Sequence, residues 1–385
     1  MQLGTRLTQE GKITEQQLAE ALSLQQRWGG KLGEILLATR ALTPLGWIDA
    51  LRAHSLPAQL LHDSPPDAAL PLLADLPHYI THQFLPHHSA GNSMVIATPS
   101  PSDTLATWCE AHYGMPCSFL LITAREFYQY LQTRFRDHLN DAARHHLLEA
   151  HPHLSANIPV WRSQRHGVLL FLATIALCLV LAPAATWHSI VTLVSIFYLA
   201  TLGFKALLLI SIPVRNRRHR QWIDTAQTHD ERELPIYSIL VPLYREPPDV
   251  IAQNLAAIDA LDYPKTKLDV WLITEADDEA TYHNLTAARP PDYCRILRVP
   301  ASEPRTKPKA CNVALPLLRG EFVTIFDAED VPDPMQLKIA VAAFRSSRPK
   351  VACLQAALNY YNRDENLLTQ LFSIEYSALF TLFLP

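Results

Sequence analysis

Residues 236–278 read IYSILVPLYREPPDVIAQNLAAIDALDYPKTKLDVWLITEADD, and this stretch decides the fold class. An apolar strand runs into a polar turn holding Tyr244, Arg245 and Glu246, an amphipathic helix follows from about Asp249, and a second apolar strand ends in Glu275, Asp277 and Asp278. Strand, helix, strand in that order implies a parallel sheet, whose ligands sit beyond the carboxyl ends of the strands. A third strand, EFVTIFDAEDVPDP from Glu321, again closes on acids: Asp327, Glu329 and Asp330. Several carboxylates at strand ends repel one another unless a cation neutralises them. Hard oxygen ligands suit Mg²⁺ or Mn²⁺ bridging a diphosphate, and such a metal offsets charge on a departing nucleoside diphosphate as a Lewis acid.

Toward the amino terminus, GVLLFLATIALCLVLAP from Gly167 to Pro183 carries no charge and has about the length that crosses ~30 Å of hydrocarbon at ~1.5 Å per residue. A second apolar run, Ser189 to Pro213, is interrupted only by Lys205. Together they read as a transmembrane hairpin connected by PAATWH. Arg162 and Arg165 precede the first run, Arg215, Arg217, Arg218 and Arg220 follow the second, and the connection has no Lys or Arg. Both flanks are therefore expected in the cytosol, and the protein in a bacterial inner membrane among its lipids as a multi-pass chain. Trp161, Trp187 and Trp222 lie where interfacial aromatics belong.

Composition narrows the rest. A formal net charge of -4 gives no drive toward nucleic acid. The six cysteines form no CxxC pair, and the amino terminus lacks a basic region leading into an apolar stretch, so neither a zinc site, a disulfide framework nor a cleaved leader is expected. His145, His146, His151 and His153 fall in a helix that gives way to a linker at Pro152, where no fixed metal geometry survives.

The front of the chain is a repeat. QLGTRLTQEGKITEQQLAEALSLQ from Gln2 aligns with KLGEILLATRALTPLGWIDALRAH from Lys31: Leu3-Gly4 with Leu32-Gly33, Leu7 with Leu36, Ile13 with Leu42, Leu18 with Trp47. Each unit is a short helix, a turn, a capping Thr (Thr14, Thr43) and a second amphipathic helix. This pattern resembles the MshEN-type amino-terminal domain of secretion and pilus-assembly ATPases, whose tandem motifs bind cyclic di-GMP. The resemblance implies Leu3, Gly4, Gly11, Gln25, Lys31, Leu32 and Gly33 as ligand residues. The departures are Gln2 and Lys31 at the openings, Arg40 in the place of the second Gly and His54 in the place of the second Gln. Two readings stay open, a cyclic di-GMP site and a helical docking module. Residues 65–135 continue as a small α/β half, with strands in MVIATP and FLLIT and a helix from Ala124. No GxxxxGK[ST] loop occurs, so the ATPase itself is absent.

From about residue 236 onward the chain resembles family 2 glycosyltransferases of the cellulose-synthase-like type. VPLYRE is similar to the family's VPxYNE opening, with Arg245 in the place of Asn; ITEADDEAT occupies the uracil-contacting acidic segment; TKPKACNVAL resembles its Lys-x-x-Asn element; FDAED stands at its DxD position. The resemblance implies donor contacts from Pro242, Tyr244, Glu246, Glu275, Asp277, Lys309, Asn312 and Asp327, metal ligation by Asp327, Glu329 and Asp330, and an acceptor contact from Gln355 in QAALNYYNRDENLL. A solvated turn lysine is the other reading for Lys309, and for Lys307.

The expected fold is α/β: a helical-repeat and small α/β domain at 1–135, a linker at 136–166, two membrane helices at 167–213, a basic linker at 214–235, and a partial GT-A (Rossmann-like) domain at 236–385. The implied function is inverting transfer from a UDP-sugar to a polysaccharide or lipid acceptor with Mg²⁺ or Mn²⁺. Neither the base motif TED nor QxxRW occurs in the 385 residues, so a truncated chain that binds donor without turning it over is expected. A non-catalytic cyclic di-GMP receptor is the other reading.

Overall fold

The structure, a computed structural model, describes residues 3–53, 57–155, 162–360 and 362–380; Gln2, His54, Trp161, the side chain of Arg215 and the final residues of the terminal apolar run lie outside the described residues. The chain divides into two compact units, Met1–Ala150 with His229–Lys338, and His151–Thr228 with Ile339–Pro385.

In the first unit the repeat forms α1 (Leu3–Gln9), α2 (Glu15–Trp28), α3 (Leu32–Ala38) and α4 (Pro44–Ala53). Thr14 and Gln17 cap α2 reciprocally, with Gln17 N donating to Thr14 Oγ1 at 3.1 Å and Thr14 N to Gln17 Oε1 at 2.8 Å. Thr43 Oγ1 accepts from Gly46 N at 3.1 Å. The matched pairs Leu7/Leu36 and Ile13/Leu42 lie in one buried cluster. A Cβ on Gly4 would meet Leu18 at 2.5 Å, and one on Gly33 would meet Trp47 at 2.5 Å. Leu18 and Trp47 are repeat equivalents, so the paired glycines exist to let one helix sit against the next. Gly11 (φ 68) and Arg40 (φ 58) also match, because both turns need the left-handed conformation and the second takes it with an Arg.

The small α/β half comprises α5 (Leu76–His82), β1 (Leu85–Ala90), β2 (Ser93–Thr98), α6 (Asp103–Tyr113), β3 (Cys117–Leu121), α7 (Ala124–Arg134) and α8 (Arg136–Ala150). β2 pairs antiparallel with β1 and parallel with β3. The sequence LPHHSA hides β1, since it carries no apolar alternation.

The apolar runs become α9 (Arg162–Leu181) and α10 (Pro183–Thr228), in the second unit. Arg162–Leu181 and Pro183–Ile210 are long and apolar enough to cross a bilayer, at mean hydropathies of 1.8 and 2.1, and neither window is buried in protein. The expected connecting loop PAATWH is instead the first turn and a half of α10, because Pro183 at the helix start has φ already set for it. The basic stretch expected as a linker is helical too, continuous with the second apolar run through to Thr228.

The remaining sheet is built from β4 (Tyr237–Leu243), α11 (Pro248–Asp259), β5 (Leu268–Glu275), α12 (Glu279–Ala287), β6 (Cys294–Val299), α13 (Lys307–Ala314), β7 (Phe322–Ile325) and α14 (Gln336–Ser346). Its order is β6-β5-β4-β7 and every pair is parallel. β6, CRILRV, is not evident in the sequence because Arg295 and Arg298 interrupt its apolar run. Strand order reverses between β4 and β7, which makes a crevice at their carboxyl ends. Buried side chains of the front domain (Tyr128, Leu131, Leu139) and of this sheet and its helix (Trp271, Leu297, Ala310, Ala314) belong to one core cluster. In the second unit, residues 351–360 have no regular secondary structure and α15 (Leu367–Ala378) follows.

Candidate active site at the switch point of the sheet

After β4 the chain turns through Tyr244, Arg245 and Glu246. Arg245 has φ 59, a conformation that Asn tolerates better than most residues, which accounts for an Asn in the motif it resembles. The turn is locked to the next strand end: Arg245 N donates to Asp278 Oδ2 at 2.5 Å, Glu246 N to Thr281 Oγ1 at 2.9 Å, and Thr281 N to Asp278 Oδ1 at 3.1 Å. Burial opposes the charge on Asp278, but hydrogen bonds from the Arg245 amide and from Thr281 outweigh it and hold the carboxyl below its usual range. Asp278 thus fixes the turn and caps α12.

Across the switch point, Phe326 N donates to Leu240 O at 3.0 Å and continues the ladder by one residue. Asn254 of α11, buried, donates Nδ2 to Asp327 O at 3.2 Å and fixes that backbone, while its Oδ1 has no partner. Asp327 N donates to Asp330 Oδ2 at 2.8 Å, so Asp330 closes the turn. Glu329 remains exposed. Burial and then the charge of Glu329 raise the carboxyl of Glu246 above its ordinary range, and the same two causes raise Asp330 against the pull of Lys307. These are carboxylates short of positive charge.

Two cations reach the acids from the end of the loop before α13 and from the first residue of that helix. Lys307 pairs with Asp327, and Arg305 Nη1 lies 2.6 Å from Asp277 Oδ2. Neither pairing was evident from the sequence; the spacing Arg305-x-Lys307-x-Lys309 was the available signal. Lys309 does something different. Nearly fully buried, it donates to Glu275 Oε2 at 3.1 Å and Pro300 O at 3.2 Å, so this pair is internal to the wall of the site. Asn312, on the outer side of α13, donates Nδ2 to Ala143 O of α8 at 3.3 Å. Pro242 sits inside β4 opposite Ile273, and Tyr244 is 44% exposed with the Arg245 guanidinium over its ring at 5.1 Å. Gln355 belongs to the second unit, where Nε2 donates to Ala356 O at 3.0 Å.

The structure therefore gathers Tyr244, Glu246, Asp277, Asp327, Glu329 and Asp330 at neighbouring strand ends, and turns Lys309, Glu275 and Asn312 to internal contacts. The expected three-carboxylate metal set is not assembled: among the described residues no three His, Cys, Asp or Glu side chains are placed to hold a metal ion, because Asp330 folds back onto the amide of Asp327.

In the front domain, Gln25 donates Nε2 to Gly30 O at 2.9 Å and Lys31 donates Nζ to Ser100 Oγ at 2.6 Å. Arg27 Nε is 2.7 Å from Glu231 Oε2, and Arg232 Nε donates to Gln26 O at 2.7 Å.

A parallel sheet with acids at its switch point is the architecture of nucleotide-handling α/β enzymes. Residues 235–380 match the family described as glycosyltransferase like family 2. A beta-monoglucosyldiacylglycerol synthase of Trichormus variabilis is 34% identical over 146 residues, 37% of this chain and 30% of that protein. The cellulose synthase catalytic subunit of Pseudomonas fluorescens is 27% identical over 154 residues, 38% of this chain and 19% of that protein. The chain thus spans less than a third of the length of these curated relatives. The solved structure of MshE with cdg is 23% identical, covering 35% of this chain and 99% of that one, at a TM-score of 0.31.

Proposed function

We propose that the chain carries the donor half of an inverting, membrane-anchored glycosyltransferase that takes a UDP-sugar and serves a lipid or polysaccharide acceptor. The observation that carries this reading is the set of carboxylates at adjoining strand ends, with Arg305 and Lys307 closing over two of them. The diphosphate lies against these two cations, which exchange a protein carboxylate for a phosphate. Asp327, released from Lys307, is then the carboxylate offered to a metal. Carboxylate oxygen is the donor type that suits Mg²⁺ or Mn²⁺, and the raised carboxyls of Glu246 and Asp330 mark a place short of one cation. Such an ion, when bound, neutralises charge on the leaving diphosphate. Tyr244 and Asp277 line the nucleoside side, Glu275 and Lys309 hold its wall, and Gln355 is the acceptor-side candidate.

The arginines flanking the two apolar runs, with none in the connection, support two spans with cytosolic flanks in a bacterial inner membrane. Transfer also needs a base for the acceptor hydroxyl, which none of the matched motifs supplies; the 385-residue chain is proposed to bind donor without turnover, and robust transfer by the purified chain would refute that. The direct test is calorimetry of the detergent-solubilised chain with UDP-glucose and UDP-N-acetylglucosamine in Mn²⁺. Metal-dependent binding that disappears in Asp327→Ala supports the site, and no binding by the native chain removes it.

A second reading concerns the repeat. Arg27, Gln26, Gln25 and Lys31 all have protein partners, two of them at Glu231 and Arg232 just ahead of β4, which favours a docking module over cyclic di-GMP recognition. Titration with cyclic di-GMP decides between them.

A further inference from the structure

We propose that Asn140, on α8 of the front domain, is a positioning residue for the donor site and acts through the loop at 300–306. The proposal rests on the donor-site reading above. Ser302 Oγ donates to Asn140 Oδ1 at 2.9 Å across a sequence separation of 162 residues. From the other side, the buried ammonium of Lys309 donates to Pro300 O at 3.2 Å and Ser302 O at 3.5 Å while bound to Glu275. Ser302 is thus gripped twice: its carbonyl by the catalytic half, its hydroxyl by the front domain.

Three residues further on the same loop delivers Arg305 to Asp277, and two residues after that, at the first position of α13, Lys307 meets Asp327. Where those cations stand is decided by where the loop is pinned. α8 itself is held in register along α13, since Leu139 belongs to the shared core and Ala143 O, one turn on from Asn140, accepts from Asn312 Nδ2 at 3.3 Å. Asn140 is 9% exposed in the middle of a helix. An amide there is costly to bury without a partner, and in this helix its acceptor oxygen is matched to one hydroxyl on the cation-bearing loop. The front domain therefore completes the donor site mechanically, through a contact that does not depend on any ligand in the repeat.

The test uses the full chain in detergent, as wild type, Asn140→Leu, Asn140→Asp and Ser302→Ala, with two readouts: amide hydrogen exchange of residues 301–306 without ligand, and calorimetric binding of UDP-glucose in Mn²⁺. Asn140→Leu and Ser302→Ala should each speed exchange in the loop about tenfold and weaken UDP-glucose several-fold, with the rest of the exchange map unchanged. Asn140→Asp, which keeps the acceptor oxygen, should restore both, and the Asn140→Leu/Ser302→Ala double variant should be no worse than either single one. Unaltered loop exchange in Asn140→Leu overturns the proposal. So does UDP-glucose binding that is equal in wild type and Asn140→Leu. A wild-type chain that binds no UDP-glucose removes the donor-site reading itself, and the positioning role with it.

Discussion

The two ends of one parallel sheet use the same residue types for opposite ends. At the amino end, Asp269 has no exposed surface and is enclosed by Arg295, by Ser238 Oγ at 2.7 Å, by the Arg319 amide at 3.0 Å and by Trp271 Nε1 at 3.2 Å. Tyr128 of the front domain lies 4.4 Å below the Arg295 guanidinium and packs edge-on against Trp271. At the carboxyl end, Asp327 and Lys307 are also paired, yet their side chains are 52% and 45% exposed. An ion pair enclosed on all sides is part of the scaffold. One of similar chemistry left half in water can trade partners at little cost, and only such a pair can serve a charged ligand.

The largest expected effect probes the closed end. Asp269→Asn leaves the buried Arg295 and the partly exposed Arg319 without their counter-charge and should cost about 3–5 kcal/mol in a denaturant titration of the first unit's signal. Arg295 and Arg319 overcome the burial penalty and hold the Asp269 carboxyl below its usual range. Its contribution is therefore complete above the unfolded value of ~3.9 and fades as pH falls through the lower folded one, so wild type and variant should converge only in acid. Next, Asp327→Ala should move the same unfolding transition by less than about 0.5 kcal/mol while reducing Mn²⁺-dependent UDP-sugar affinity at least about tenfold, ~1.4 kcal/mol. If both variants destabilise alike, the contrast between the ends is lost. Tyr128→Leu, which removes a ring from Arg295 and Trp271, should cost about 1 kcal/mol. Because Glu246 and Asp330 sit above the ordinary carboxylate range, lowering the pH should weaken metal-dependent donor binding a few-fold before ~4.3 is reached, where ordinary glutamates titrate; a pH series of the same calorimetric titration checks this. Smallest of all, Arg245→Asn should stabilise by under about 1 kcal/mol, since Asn accepts φ 59 more readily, with donor binding unaffected.

Much of the scaffold was legible because apolar runs were long and uninterrupted. β4, β5 and β7, the hairpin and the repeat all announce themselves by periodicity, and Thr14 and Thr43 cap where the sequence places them. β1 and β6 were not legible, because a Pro-His-His stretch and two arginines break the pattern; the arginine at 295 is explained only by Asp269, which is distant in sequence. At the candidate site the acids could be read from strand ends, but their partners could not. Which lysine turns inward is a property of one helical face: Lys309 is buried against Glu275, while Lys307, two residues earlier, faces Asp327. The docking of the front domain onto the later part of the first unit left no local trace at all, being made by Asn140 with Ser302, Ala143 with Asn312 and Arg27 with Glu231, all far apart along the chain.

The first unit is discontinuous: the chain leaves it at Ala150 and re-enters at His229. During synthesis, the face of α8 that will meet α13 emerges long before its partner and stays wet while residues 151–228 are made. Closing so long a loop from a free coil carries an entropic cost that grows as about (3/2)RT ln n. The proposed insertion of the two apolar helices in a bilayer would lower it by restraining the excursion between Ala150 and His229. Under that reading, lipid insertion is a folding step for the first unit as well as an anchor. Refolding of the first unit should then be slower, and more prone to aggregation, when detergent or bilayer is withheld until after dilution from denaturant.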